Sequence, residues 1–105
     1  MGAARPRPRL LAKKLLQNRN GLGLSQTELL RQLGVQGKIP YTRISDYELD
    51  KNEPTLMVLL EYARVAGVHL EEIVDDRLDL PSELPGRVKY NNVWIKDRAK
   101  RRSVL

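Results

Sequence analysis

The sequence predicts an all-α domain of about five short helices, followed by an extended C-terminal tail. Apolar residues recur at helical spacing in segments that Gly or Pro residues separate. Ser25 and Glu28 have the Ser-x-x-Glu spacing of a helix capping box, directly before Leu29 and Leu30. The 105-residue chain has no Phe and one Trp, so we expect a small core built mainly from Leu, Val and Ile.

The composition argues against several classes of protein. The chain has no Cys, which excludes disulfide and thiolate chemistry and fits the reducing cytoplasm where we expect the protein. No apolar run approaches the roughly 18 residues of a membrane span, and charge returns at Lys13 and Lys14 before a signal-peptide core can form. With a single His and no acid pair or metal-ligand spacing, we predict no enzyme, no metal site and no cofactor.

Charge is distributed unevenly along the chain. The formal net charge is +6. Basic residues dominate both ends, residues 1–24 and 87–105, whereas residues 56–86 are mainly acidic. Basic ends that flank an acidic stretch suggest a polyanion partner. The alternative, that both ends are solvated disordered tails, stays open.

The first elements are a basic arm and a helix. Arg and Pro alternate from residue 5 to residue 9, and each Pro disfavours helical backbone at the residue before it. We expect residues 1–9 to form an extended arm that either lies along phosphates or serves as a flexible solubilising terminus. A first helix follows over Leu10–Asn20, and Gly21 and Gly23 end it.

Two short helices with a Gly-containing turn come next. The first covers Ser25–Leu33 and stops at Gly34, after which Val35 closes the corner. A linker over residues 36–40 leads into the second helix, residues 40–49, whose inward side is Ile44 and Tyr47. This arrangement predicts a helix-turn-helix, in which the second helix can enter the DNA major groove.

Two further helices complete the domain, and a tail follows it. Thr55 is the expected cap of a helix over 56–66, and a short last helix covers 70–76. The core stripe predicted for the longer of them consists of Leu56, Leu59, Leu60, Ala63 and Ala66. We divide the chain into the arm 1–9, the domain 10–76, and a Pro-containing linker with a basic tail, 77–105. Residues 87–96 can form a small hairpin or add a strand to a partner.

The chain resembles the Cro/CI-like, or XRE, family of helix-turn-helix regulators from about residue 10 to about residue 76. Four stretches carry the resemblance: Arg19-x-x-x-Gly23-x-Ser25-Gln26, Leu29 with Leu33-Gly34-Val35, Ile44-Ser45-Asp46-Tyr47-Glu48 with Pro54-Thr55, and Leu59-Leu60 through Ile73-Val74. The resemblance implies a lambda-repressor-like fold and sequence-specific binding to double-stranded DNA. It also implies an ion pair between Arg19 and Glu48 that joins the first helix to the end of the recognition helix.

The DNA-binding residues follow from matching this pattern. Arg43 is the expected base reader, because its guanidinium can make two bonds to guanine. The full predicted set is Gln26, Gln36, Lys38, Tyr41, Thr42, Arg43, Ser45, Asp46 and Lys51. The linker before the recognition helix is about four residues longer than in many members, which leaves the register of these residues open. Asp50 stands where the family usually has glycine.

Two function classes remain. The first is a prokaryotic, repressor-type transcriptional regulator that binds DNA as a homodimer and has no membrane association. The alternative is an antitoxin-type protein, in which the C-terminal tail binds a protein partner while the helical domain binds operator DNA.

Overall fold

Five short helices and one small hairpin make up the described part of the chain. The computed structural model describes residues 7–35, 37–86, 88–90 and 93–95, the last two ranges as backbone alone. The elements are α1 (Leu11–Leu22), α2 (Gln26–Gln32), α3 (Thr42–Glu48), α4 (Leu56–Ala66), α5 (Leu70–Val74), β1 (Val88–Tyr90) and β2 (Val93–Ile95). The predicted all-α domain of about five helices is confirmed within these residues, and none of their helices is long and apolar enough to cross a membrane.

The helix ends are formed as the sequence chemistry predicts. Ser25 and Glu28 make both bonds of the capping box, with the Ser25 hydroxyl accepting from the Glu28 N–H at 3.1 Å. The Thr55 hydroxyl accepts from the Val58 N–H at 3.3 Å, which caps α4. Gly23 ends α1 with φ 71°, so α1 continues through Gly21 and ends at Leu22, two residues later than predicted.

The core lies where the helices converge, and it is almost entirely aliphatic. Its fully buried members include Leu15, Leu29, Ile44 and Ile73, and its two aromatic members are Tyr62 and Tyr47. The predicted inward residues of the helix-turn-helix are therefore buried. Leu56 is a correction: it is 67% exposed, because the first residue of α4 points away from the core that Val58 and the following residues enter.

Residues 78–86 lie against the helical domain. Leu84 is 5% exposed and belongs to the core cluster, while Leu80 packs against it. The hairpin follows, with antiparallel pairing of Val88 to Ile95 and of Tyr90 to Val93, and β1 lies beside α1. Of the two alternatives that the sequence leaves open for this stretch, the structure contains the hairpin.

Candidate DNA-binding interface

Helix α3 presents one buried side and one accessible side. Ile44 is fully buried and Tyr47 is 5% exposed, and burial raises the pKa of the Tyr47 phenol above its ordinary value. The predicted recognition helix, residues 40–49, is shorter in the structure, because α3 runs from Thr42 to Glu48. Helix α3 is thus about two turns long. Because Ile44 and Tyr47 are buried, only the opposite side of α3 can face a ligand.

The accessible side of α3 carries the residues predicted to contact bases. Tyr41, just before the helix, is 56% exposed, and Thr42 is also exposed. Arg43, Ser45 and Asp46 are half-buried. Since the five residues lie on or next to one short helix, a single surface of α3 brings them together.

Asp46 is engaged by the loop that follows α3. Its carboxylate accepts from the Asn52 side-chain amide at 3.4 Å, and its carbonyl accepts from the Lys51 N–H at 2.9 Å. Asp46 therefore holds the loop that carries Lys51, whose side chain is exposed. This gives Asp46 a structural role beside the one predicted for it.

Arg19 and Glu48 form a bidentate ion pair. Arg19 Nε donates to one Glu48 carboxylate oxygen at 2.7 Å, and a terminal guanidinium nitrogen donates to the other at 3.0 Å. A second terminal nitrogen donates to the Leu24 carbonyl at 3.1 Å. The hydrogen bonds to Glu48 raise the pKa of the Arg19 guanidinium, although its burial opposes them. The pair fixes the last residue of α3 to α1 and to the turn after it.

Gln26 joins this cluster from the first turn of α2. Its side-chain nitrogen donates to Glu48 Oε1 at 3.3 Å, so it supports the end of α3. Tyr62 lies near the same carboxylate and is 1% exposed, and its burial raises the pKa of the phenol strongly. Helices α1, α2 and α4 thus all contribute side chains around one residue of α3.

The linker before α3 makes a compact turn. Gly37 has φ 85°, a left-handed conformation that favours glycine, and the N–H groups of Lys38 and Ile39 both donate to the Val35 carbonyl. Ile39 packs against the core and Lys38 is exposed. The linker that is longer than in many family members thus folds into this turn before α3 begins. Gln36, another predicted contact, lies outside the described residues.

Asp50 adopts the backbone conformation that a glycine would adopt at this position. Its φ is 61°, in the left-handed region, which Asp tolerates better than most residues. Its carboxylate accepts from Arg7 at 2.9 Å, so the end of the N-terminal arm lies against the loop after α3. The sequence gives no sign of this contact, because it joins residues 43 positions apart.

The ends of α1 and α5 are tied to each other. The Asp76 carboxylate accepts from the N–H groups of Arg9 and Leu10 at 2.8 and 3.0 Å, which caps α1. In return, Lys14 Nζ donates to the carbonyls of Glu72, Asp75 and Leu78 at 3.0, 2.8 and 2.6 Å. Sequence reasoning missed this arrangement. The available signal was that Lys14 falls between Leu11 and Leu15 on the buried side of α1, where it is only 2% exposed.

The comparisons with known proteins give one result. A family model described as "Helix-turn-helix", of the XRE type, matches residues 15–73, which is more than half of the chain. The chain belongs to this family. No curated protein and no solved structure matches it.

Membership of the XRE family establishes the general activity. The matched residues 15–73 contain most of α1, all of α2, α3 and α4, and most of α5, including the Arg19–Glu48 pair. The protein is thus a DNA-binding helix-turn-helix regulator of the Cro/CI-like type. The match ends before the segment 78–86 and the hairpin, so those parts are features of this chain beyond the family domain.

Proposed function

We propose that the protein binds a specific operator sequence by inserting α3 into the DNA major groove. The observation that supports this best is the presentation of α3, whose inner side is buried through Ile44 and Tyr47 while Glu48 is held by Arg19 at 2.7 Å. A recognition helix must be held rigidly, because base contacts depend on sub-ångström positioning. In this XRE-family chain, α3 is fixed at its inner side and at its C-terminal end.

Arg43 carries most of the base recognition in this proposal. A guanidinium can donate two parallel bonds to guanine, which is worth about 1–3 kcal/mol of discrimination. Thr42 contacts a thymine methyl group or a phosphate, and Tyr41 donates its hydroxyl to a phosphate. Lys38 and Lys51, both exposed on the loops at either end of α3, contact the backbone and set the orientation.

A homodimer is the proposed binding form. Two α3 helices would enter successive major grooves about 34–36 Å apart on a palindromic operator. Leu56 and Met57, which are 67% and 63% exposed at the start of α4, provide apolar surface close to the loop after α3. Sedimentation of the wild type beside Leu56→Glu/Met57→Glu tests this surface, because a dimer that depends on it dissociates in the variant.

The test of base recognition compares two classes of variant by DNA-binding titration at several salt concentrations. Arg43→Ala should lose about 1–3 kcal/mol of discrimination at one base position. Lys38→Ala should instead weaken binding to all sequences alike. It should also reduce the magnitude of the slope of log K against log salt by about 1. Equal loss on every sequence for Arg43→Ala would contradict its role in base recognition. Arg64→Ala, on the exposed side of α4, is the control for simple loss of positive charge.

A further inference from the structure

The formal net charge of the protein comes entirely from its C-terminal residues 87–105. Residues 1–86 contain 12 basic and 12 acidic residues, whereas residues 87–105 contain 7 basic residues and 1 acidic one. The entire charge of +6 therefore belongs to the last 19 residues. Attraction to the phosphate backbone, which supplies much of the affinity of a DNA-binding protein, scales with the basic residues that reach it. A helical domain without net charge has little long-range attraction to DNA.

The segment before the hairpin is anchored at its start and middle. Lys14 Nζ donates to the Leu78 carbonyl at 2.6 Å. Leu84 is 5% exposed and lies directly on Gly21 of α1, where a Cβ atom would be 2.9 Å from Leu84 Cδ1. We call residues 78–86 the strap. It contacts α1 at two points, through Leu78 at Lys14 and through Leu84 at Gly21.

The end of the strap is locked by a close backbone contact. The Gly86 N–H donates to the Ala66 carbonyl at 2.9 Å. A Cβ atom at Gly86 would lie only 2.1 Å from the Val65 carbonyl oxygen, so no other residue fits without displacing the chain. Gly67, on the other side of the contact, has φ 72°, and a Cβ atom there would lie 2.8 Å from the Gly86 nitrogen. The chain therefore leaves the helical domain at a defined point.

This exit point places the hairpin near the helix that supports α3. Strand β1 begins at Val88, two residues after Gly86, so its start lies within about 7 Å of the lock. Strand β1 lies beside α1. Gly21, under the strap, is two residues beyond Arg19, whose guanidinium holds the end of α3. Leu84 of the strap and Glu48 of the proposed recognition helix thus both contact the last turn of α1.

We propose that the C-terminal hairpin, which the strap holds beside α1, is a second DNA-contacting element, and that the basic residues in and next to it bind the phosphate backbone beside the operator half-site. This proposal deepens the proposed DNA-binding function and rests on it. The excess of basic residues favours phosphates over a protein partner as the ligand. The contact adds affinity without sequence preference, because phosphate contacts contain no base information.

The test removes charge from the hairpin and from the two residues that flank it in sequence, in the full-length protein. Arg87→Gln/Lys89→Gln/Lys96→Gln is titrated with the selected operator duplex and with a random-sequence duplex of the same length, at several salt concentrations. Each lost phosphate contact makes the negative slope of log K against log salt shallower by about 0.9. We therefore expect its magnitude to fall by roughly 2–3, with at least a tenfold loss of affinity near 0.15 M salt. The preference for the operator should not change.

A matched control removes equal charge elsewhere. Lys13→Gln/Arg64→Gln/Arg77→Gln takes three cations from exposed positions outside the hairpin, at α1, α4 and the residue after Asp76. It should leave the salt slope close to that of the wild type. Equal losses in the hairpin variant and this control would overturn the proposal, since net charge alone would then explain the effect.

A second variant tests the strap without changing charge. Gly86→Ala forces the chain away from Val65, so affinity should fall for both duplexes while circular dichroism still shows the helices. Ser82→Ala, at an exposed strap position, is its control. If the wild type binds the operator and the hairpin variant binds it with the same affinity and salt slope, this proposal alone is overturned. That result would favour a protein partner for the tail. Absence of operator preference in the wild type would instead refute the proposed function.

Discussion

The Arg19–Glu48 pair is the contact whose loss we expect to damage the domain most. Glu48→Gln keeps the shape of the side chain but leaves the Arg19 guanidinium without its counter-charge. Removing one partner of a buried pair costs about 3–5 kcal/mol. Glu48 is 6% exposed but Arg19 is 18% exposed, so partial hydration places the expected loss near the lower end, at about 3 kcal/mol.

Such a loss is large for a domain of this size. Domains of this length unfold with a free energy of about 5–10 kcal/mol, so Glu48→Gln should lose roughly 30–60% of the total. The melting temperature should fall by roughly 12–24 °C. Urea unfolding followed by circular dichroism measures the change, and an unchanged slope with a lower midpoint would attribute it to the native state.

Two comparisons define what would refute this reasoning. Arg64→Ala removes an exposed pair with Glu61 and should cost about 0–1 kcal/mol. If Glu48→Gln costs no more than this control, the pair is not the support we describe. The double variant Arg19→Leu/Glu48→Leu should be more stable than Glu48→Gln, because it leaves no unpaired charge. DNA binding of the double variant should still be weaker, since the end of α3 is no longer held by directional bonds.

Three further predictions concern the tie between the helices and the loop after α3. Lys14→Met should lower the free energy of unfolding by about 2–4 kcal/mol, because three carbonyl groups lose their hydrogen-bond donor. Urea titration measures this change. A change within about 0.5 kcal/mol, which is the range of ordinary surface substitutions, would contradict the prediction. Asp50→Ala should destabilise the protein by about 1 kcal/mol whereas Asp50→Gly should not, since φ is 61° there; equal effects of the two variants would argue against backbone strain. The N–H groups of Leu10 and Arg9 lower the pKa of the Asp76 carboxyl, so its contribution to stability is present above pH 4 and is lost as pH falls through the lowered pKa. Asp76→Asn should therefore reduce the fall of the melting temperature on acidification below pH 4, and an unchanged fall would contradict the assignment.

The fold could be predicted because its signals are local. The capping box at Ser25, the apolar spacing from Leu29 to Leu33 and the left-handed glycines at helix ends each act within a few residues. The burial of Ile44 and Tyr47 also follows from spacing within one helix. The Arg19–Glu48 contact differs from these features, because it joins distant residues. Only the resemblance to the family predicts it, and no local pattern does.

The contacts that the sequence did not reveal are long-range and polar. Arg7 with Asp50, Lys14 with three carbonyls and Asp76 with the start of α1 each join residues far apart in the chain, and no short-range pattern marks them. The strap was expected to be an extended linker because Pro81 and Pro85 exclude helix. Excluding helix does not exclude packing: Leu84 is buried in the core and Leu80 packs against it.

Selection of bound sequences from a random DNA pool by the full-length protein, near physiological salt, tests the central claim most directly. If α3 enters the major groove of a dimer's operator, the recovered DNA will share a two-fold-symmetric motif with half-sites about 34–36 Å apart. Recovery of no motif, together with binding that disappears at moderate salt, would contradict the account. The basic surfaces would then bind polyanions without sequence preference, and the accessible side of α3 would not be a base-reading surface.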